Sequence, residues 1–321
     1  MHAFVIEKAG STPTLRDLPV PLPGPGEVRM RIGACALNFA DLLMIDGRYQ
    51  DTPPTPFTMG MEVAGHVDAL GPGVSGPAIG SLVAAMPGSG GLAEYICLPA
   101  EECLPVPAGV PAVTAAASQI AYATSHLALD RRARLQPGET LLVLGAAGGV
   151  GLTAVEIGAR MGARVIASAR GAERLSIAKA AGAHVLIDSE EPGLKDRLKE
   201  LGGVDVVYDP VGGPAFLEAL RAAKPEGRLL TIGYAGGEIP QIPANLLLVK
   251  NISVIGLYVG GYRRFNPAAS RHSLTTIFNW IAEGSLKPHV SHVLPLEQVE
   301  QGLDLLRRRA ATGKVVISLQ P

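Results

Sequence analysis

The run Ala146-Ala-Gly148-Gly-Val-Gly151 carries the clearest chemical signal in the chain. It follows four apolar residues, Leu141 to Leu144, that read as a buried parallel strand, and it leads into a helical pattern. Glycine at 148 lets backbone approach a pyrophosphate, and glycine at 151 lets helix and strand come close together. The helix behind the turn aims its free N–H groups and positive dipole end at phosphate. The chemistry implied is dinucleotide binding, with Ala146 standing where such fingerprints usually begin with glycine. For the turn taken alone, a tight strand-to-helix corner is the competing reading. The surroundings favour a ligand. Val150, Ala154, Ile157 and Met161 recur at helical spacing, Gly162 is a helix stop, and Ala163 to Ala167 is a second short strand. Strand, glycine-rich turn, helix and strand in close succession make the βαβ unit that the motif needs.

The end of that second strand bears on which dinucleotide is held. A site for NAD usually places Asp or Glu there, to bond the ribose 2′-hydroxyl. Here the chain reads Ser168-Ala-Arg170-Gly-Ala-Glu-Arg174. A 2′-phosphate is repelled by a carboxylate and welcomed by a guanidinium. One charge-assisted bond is worth about 1.5–3 kcal/mol, or roughly a ten- to hundredfold preference for NADPH. Solvated charges on the next helix are the other reading of Arg170 and Arg174, and Glu173 offsets part of their field.

The remaining elements follow from pattern and length. The chain has 321 residues, 47% hydrophobic and 18% charged, with a net charge of −1, so two ordinary domains or one large one are expected. The charge balance and 4% aromatic content speak against nucleic acid, and no polybasic segment points to an anionic membrane. Three cysteines without a CxxC pair fit a reducing compartment, and the first residues lack the apolar core of a signal peptide. A cytoplasmic protein is expected. Residues 1 to about 100 are rich in short strands and turns; Val28 to Cys35, Glu62 to Leu70 and Ser81 to Met86 are strand candidates. Ala112 to Leu129 reads as one helix. After the fingerprint, strands are expected at Val185–Asp188, Val204–Tyr208, Arg228–Ile232 and Ile252–Val259, the alternation of a doubly wound α/β sheet. Helices at Ser273–Gly284 and Leu296–Arg309 and a strand at Lys314–Leu319 close the chain.

Further segments join the fingerprint: Leu37-Asn-Phe-Ala-Asp-Leu-Leu43, Gly47-Arg-Tyr49, Gly60-Met-Glu-Val-Ala-Gly65, Tyr208-Asp-Pro-Val-Gly-Gly213 and Thr312-Gly-Lys-Val-Val316. Together they resemble the medium-chain dehydrogenase/reductase superfamily over essentially the whole chain, and within it the zinc-free NADPH:quinone oxidoreductases. The resemblance implies a doubly wound parallel Rossmann sheet, residues 120–259, inserted into a β-rich GroES-like barrel domain, residues 1–119 and 260–321. It implies NADP(H) as cofactor, a quinone or conjugated enone as hydride acceptor, and a homodimer formed through the last Rossmann strand.

The same resemblance implies roles for single residues. Asn38 lies near nicotinamide and acceptor, where an amide can donate to a developing oxyanion. Asn38 and Asp41 also have the spacing of a helix cap with an acid in the first turn, and both readings stand, so Asp41 is counted with Asn38 and Tyr49 among the catalytic candidates. Tyr49 belongs to the acceptor cleft or packs beneath a proline-rich loop. Thr124, Gly233 and Leu257 flank the nicotinamide, Gly148, Gly149 and Val150 hold the pyrophosphate, and Ser168 and Arg174 hold the 2′-phosphate. Arg309 closes over that phosphate or, at a helix end beside Arg307 and Arg308, offsets the dipole. Ile45 stands where an arginine is common, and Ser189 where a tyrosine is.

No zinc is expected. The branch that uses it places a cysteine near Asn38 and a histidine at Met61, and the histidines here form no HxH or HExxH pattern. Without a Lewis acid, reduction of an electrophilic acceptor is favoured over alcohol oxidation. Two other functions remain open from sequence. One is an enoyl-thioester reductase, with Arg263 and Arg264 meeting a CoA or carrier phosphate. The other is a crystallin-like protein that keeps NADPH without turnover.

Overall fold

The computed structural model describes residues 1–319. The chain divides into two compact units. One comprises Met1–Ile120 together with the segment from Leu274 onward, and the other is Ala121–Ser273. The return to the first unit falls at Leu274, later than residue 260, because Val259–Phe265 and the start of Pro267–Ala282 are helical and stay with the second unit.

The first unit is β-rich. His2–Ile6 pairs antiparallel with Thr14–Asp17 on one side and Phe57–Thr58 on the other. A larger sheet runs in the order Val290–Pro295, Lys314–Ser318, Glu27–Leu37, Val63–Leu70, Leu82–Ala85 and Leu104–Pro105. Tyr95–Pro99 also pairs with Glu27–Leu37. That central strand alternates more and less buried residues in its first half and is buried throughout from Ile32 to Leu37. Its buried end packs with Ile6, Met59, Val63, Leu303 and Ile317 in one apolar core. Lys314–Ser318 pairs with this buried half, so the C-terminal strand lies directly beside Leu37.

The second unit is the expected doubly wound sheet. Its six parallel strands are Thr140–Leu144, Arg164–Ala169, Val185–Asp188, Val204–Asp209, Ala223–Thr231 and Ser253–Gly256, arranged 3-2-1-4-5-6 in that chain order. The first strand is buried at every position, as a strand covered on both faces must be. The last strand is shorter than Ile252–Val259. Its ladder ends where the Leu257 N–H reaches Thr231 O, and helix begins at Val259.

The Ala112–Leu129 segment is also not one helix. It forms Ala112–Ala117 and Ile120–His126, then a wider turn over Leu127–Arg132. The interruption has a definite cause. The Ile120 N–H, which would have continued the first helix, is taken by the Glu62 carboxylate at 2.7 Å. The Gln119 side chain bonds Val63 O at 2.9 Å. Among the described residues, no helix is long and apolar enough to cross a membrane.

Helix Gly149–Arg160 begins at Gly148, and two glycines of its turn do different work. A Cβ on Gly151 would lie 2.2 Å from Gly145 O, inside the strand-to-helix corner. A Cβ on Gly148 would meet nothing closer than 3.4 Å. Gly151→Ala is therefore expected to cost about 1–3 kcal/mol of stability, read by thermal or urea denaturation. Gly148→Ala should leave stability unchanged. Equal losses in the two variants would refute this division.

Candidate active site

Two groups of polar residues stand out, one in each unit. In the first unit, Asn38 caps helix Phe39–Ile45. The cap is made by the acid: the Asn38 backbone N–H donates to Asp41 Oδ2 at 2.7 Å. The Asn38 side chain looks elsewhere. Its Nδ2 donates to Glu62 Oε1 at 2.9 Å and to Ala36 O at 3.3 Å, and its Oδ1 accepts from Lys314 Nζ at 2.8 Å. Lys314 also donates to Glu62 Oε1 at 2.8 Å and to Leu37 O at 3.0 Å. Glu62 is fully buried and Lys314 is 4% exposed, so a buried ion pair brackets the amide. Glu62 reaches this place through Gly60, which stands at φ +97°. A Cβ on Gly60 would lie 2.5 Å from the Leu92 backbone nitrogen, a contact no side chain tolerates.

This cluster bears on two of the expected catalytic residues. Asp41, a catalytic candidate from sequence, is 1% exposed and lies inside the fold. Among the described residues its Oδ1 makes no hydrogen bond of full geometry, the Gly60 N–H being a backbone donor near the carboxyl. Burial, reinforced by Glu62, pushes its carboxyl up to about 7, against the lowering effect of the Asn38 N–H, of Lys314 and of the Gly60 N–H. Its carboxylate closes the helix from inside the fold. Asn38, half-exposed, does remain accessible, yet both hydrogens of its amide already have acceptors. Glu62 and Lys314 were missed as site residues. The signal was present in the two quoted motifs, Gly60–Gly65 and Thr312–Val316, but only pairing of distant strands brings them together.

Tyr49 is half-buried against the first unit's core, and its carbonyl holds the Thr52 hydroxyl at 2.7 Å. Arg309 lies in a cleft of about 320 Å³ with Phe39, Leu42, Asp46, Arg48 and Arg307. It sits at φ +52°, just past helix Val299–Arg307, where its N–H bonds Leu306 O and the next N–H bonds Leu305 O. That left-handed position ordinarily belongs to glycine.

The second group lies along the carboxyl ends of the six parallel strands, where open α/β sheets bind ligands. Gly148, Gly149 and Val150 are half-exposed at the first helix's N-terminus. Ser168 is buried at the end of the second strand, Arg170 is exposed at the cap of helix Gly171–Ala180, and Arg174 is half-buried on it. Gly233 and Leu257 follow the fifth and sixth strands. Strands 1 and 4 are neighbours at the point where strand order reverses, and a Cβ on Gly145 would touch the Val211 side chain at 2.9 Å. Thr124 is nearly buried on helix Ile120–His126. The next residue anchors that helix: Ser125 Oγ lies 2.7 Å from Thr153 Oγ1 and 2.8 Å from Tyr208 Oη. Burial holds the Tyr208 phenol well above the usual tyrosine range, so it stays protonated. Tyr122 adds a second tie, donating to Glu156. Arg263 and Arg264 belong to helix Val259–Phe265.

One acid at this edge carries no signature in the sequence. Asp188, at the end of the third strand, accepts the Gly171 N–H at 3.2 Å and the Glu190 N–H at 3.0 Å. These bonds hold its carboxyl below the ordinary aspartate value. It occupies the N-terminus of the helix that carries Arg174, and so dilutes the positive field there.

A doubly wound nucleotide-type sheet whose sequence interrupts a β-rich unit defines a medium-chain dehydrogenase/reductase, and comparison with known proteins narrows the class. The family described as "Alcohol dehydrogenase GroES-like domain" matches residues 24–108, and that described as "Zinc-binding dehydrogenase" matches residues 149–273. Quinone oxidoreductase-like protein 2 of Bos taurus is 41% identical over 300 residues, spanning 92% of this chain and 86% of that protein. The quinone oxidoreductase of Thermus thermophilus, solved also in complex with NADPH, matches with a TM-score of 0.88 at 36% identity, covering 99% of this chain and 100% of that one. The Escherichia coli quinone oxidoreductase complexed with NADPH gives a TM-score of 0.91 at 26% identity, with 99% and 100% covered. The chain belongs to the quinone oxidoreductase family of medium-chain dehydrogenase/reductases, and it is an oxidoreductase.

The raised Asp41 carboxyl has a stability signature. From the ordinary value of 3.8 up to about 7, the folded state binds more protons at Asp41 than the unfolded state. The stability it contributes is full below that window and is lost as pH rises through it, by at most about 1.4 kcal/mol per pH unit. Asp41→Asn keeps an acceptor for the Asn38 N–H but does not titrate. Its melting temperature should therefore vary less than the wild type's between about pH 4.5 and 7.5. Parallel curves would show that Asp41 ionises normally.

Proposed function

We propose that the protein reduces a quinone or conjugated enone with NADPH and without zinc. The observation that carries this reading is the fully satisfied Glu62–Lys314–Asn38 cluster beside Met61. The residues there do not fit zinc. Both Glu62 oxygens are committed to Lys314, Asn38 and Ile120. Burial, reinforced by Asp41 and Glu62, raises the Cys35 thiol well above its usual range, away from the thiolate a metal binds. Among the described residues, no group of three or more His, Cys, Asp or Glu is arranged to hold a metal. An acceptor that is already electrophilic needs no Lewis acid.

NADPH, when bound, supplies the hydride. The sheet edge fits it: the open surface of Gly148 and the N–H groups at Gly149 and Val150 suit a pyrophosphate. Ser168, Arg170 and Arg174 are the groups for the 2′-phosphate, and the family resemblance adds Arg309 to them. Thr124, held by the hydroxyl chain beneath Ser125, orients the nicotinamide together with Gly233 and Leu257. Asn38 meets the acceptor, and Tyr49 bonds its carbonyl or passes a proton. The NADPH complexes of the two related structures support the cofactor. The three cysteines are free, which suits the cytoplasm. We also propose a homodimer through Ser253–Gly256. Among the described residues it pairs on one side only, and Leu248 and Val249, just before it in the chain, are 77% and 68% exposed.

The test is oxidation of NADPH with 1,4-benzoquinone, an alkyl enone and crotonyl-CoA. The quinone or the enone should turn over at least about tenfold faster than the thioester. Preference for crotonyl-CoA would make it a thioester reductase, and tight NADPH binding with no turnover a non-catalytic binder. Arg174→Ala should raise the KM for NADPH about ten- to hundredfold and leave that for NADH nearly unchanged; equal effects would reject the phosphate role. Arg309→Gly should relieve about 1 kcal/mol of left-handed strain, raising the melting temperature while weakening NADPH. A lower melting temperature would show that the side chain supports the fold instead.

A further inference from the structure

We infer that Lys314 is a positioning residue: with Glu62 it locks the Asn38 amide so that its Nδ2 edge, and not its Oδ1, is offered to negative charge developing on an acceptor. The inference rests on the reductase reading and deepens it, since nothing in the family resemblance gives Lys314 a role. A carboxamide can lie either way round, because its oxygen and nitrogen ends have nearly the same shape. Only its neighbours choose. An ammonium can donate but never accept, and a carboxylate can accept but never donate. Lys314 Nζ faces Asn38 Oδ1 at 2.8 Å, and Glu62 Oε1 faces Nδ2 at 2.9 Å. A flipped amide would put N–H against N–H at Lys314 and oxygen against oxygen at Glu62.

The ion pair is not needed to fill the core. Buried pairs often stabilise no more than apolar side chains of equal volume, because desolvation offsets their attraction. This one is complete in itself. The ammonium donates to Leu37 O, Asn38 Oδ1 and Glu62 Oε1, and the second carboxylate oxygen accepts the Ile120 N–H. The only long bond in the group is the one from Asn38 Nδ2 to Ala36 O, at 3.3 Å. That hydrogen is the one exchanged for an acceptor oxygen at least cost. The charge of Lys314 on Oδ1 polarises the amide and strengthens the same N–H as a donor.

The experiment is a double-mutant cycle in the full chain, with NADPH and 1,4-benzoquinone. Lys314→Met should lower kcat about tenfold or more, while the NADPH dissociation constant, read by nucleotide fluorescence, stays within about twofold. In an Asn38→Ala background the same change should cost almost nothing further in kcat, and Lys314→Arg should recover part of the loss. Additive losses, a parallel fall in NADPH affinity, or an unchanged kcat would overturn the inference. If Lys314→Met does not fold, Glu62→Gln enters the same cycle with the same expectations. If the wild type binds NADPH but reduces no acceptor, the reductase reading fails separately. The clamp is then read from the Asn38 side-chain amide protons in asparagine-15N-labelled protein. They should exchange slowly with water in the wild type and quickly in the Lys314 variant; fast exchange in the wild type would reject the clamp.

Discussion

The Glu62 carboxylate is the constraint on which the first unit's site depends. A fully buried charge is tolerable only when each lone pair finds a donor, and Glu62 finds Lys314, Asn38 and the Ile120 N–H. These groups come from four separate stretches of chain. The bond to Ile120 also ends the Ala112–Ala117 helix and sets the start of the next, at the residue where the first unit gives way to the second. One acid thus fixes an amide's orientation and a helix break within the first unit. Within the cluster, the donors and acceptors are already spent on one another.

The second unit builds its site differently. Almost all of its candidate binding groups are backbone or near-backbone features at the ends of parallel strands: a glycine turn, a helix N-terminus and short polar residues. Such features follow from the sheet's topology and tolerate variation elsewhere. At the end of the second strand the charges oppose one another. Arg170 and Arg174 make a positive field, and Asp188 and Glu173 reduce it. The hydroxyl chain Tyr208–Ser125–Thr153 is more decided. It ties helix Ile120–His126 to the fingerprint helix and to the fourth strand, so Thr124 stands on a rigid support.

The first unit holds two local features that the fold alone would not select. Among the described residues, Asp41 has a buried carboxyl oxygen without a hydrogen bond of full geometry, and Arg309 occupies a left-handed position suited to glycine. Each sits within or next to the segments that form the site, which is where strain and unsatisfied polarity are expected to be retained.

Much of this protein was legible from residue order. A buried apolar run, a glycine turn and a helical stripe obey local sterics, so the six-stranded parallel sheet and its fingerprint could be read without coordinates. Strand and helix identities held where one periodicity ruled, and failed where a distant group intervened: at Ile120, whose N–H Glu62 removes from the helix, and at Leu257, where the ladder to Thr231 stops. The roles of Glu62, Lys314 and Asp188 were hidden for the same reason. Spacing along a chain reports which residues share a face of one element. It does not report which charges meet when residues 62 and 314 come to flank the strand that ends at Leu37. That meeting, and the desolvation that makes each of its bonds obligatory, belongs to tertiary structure.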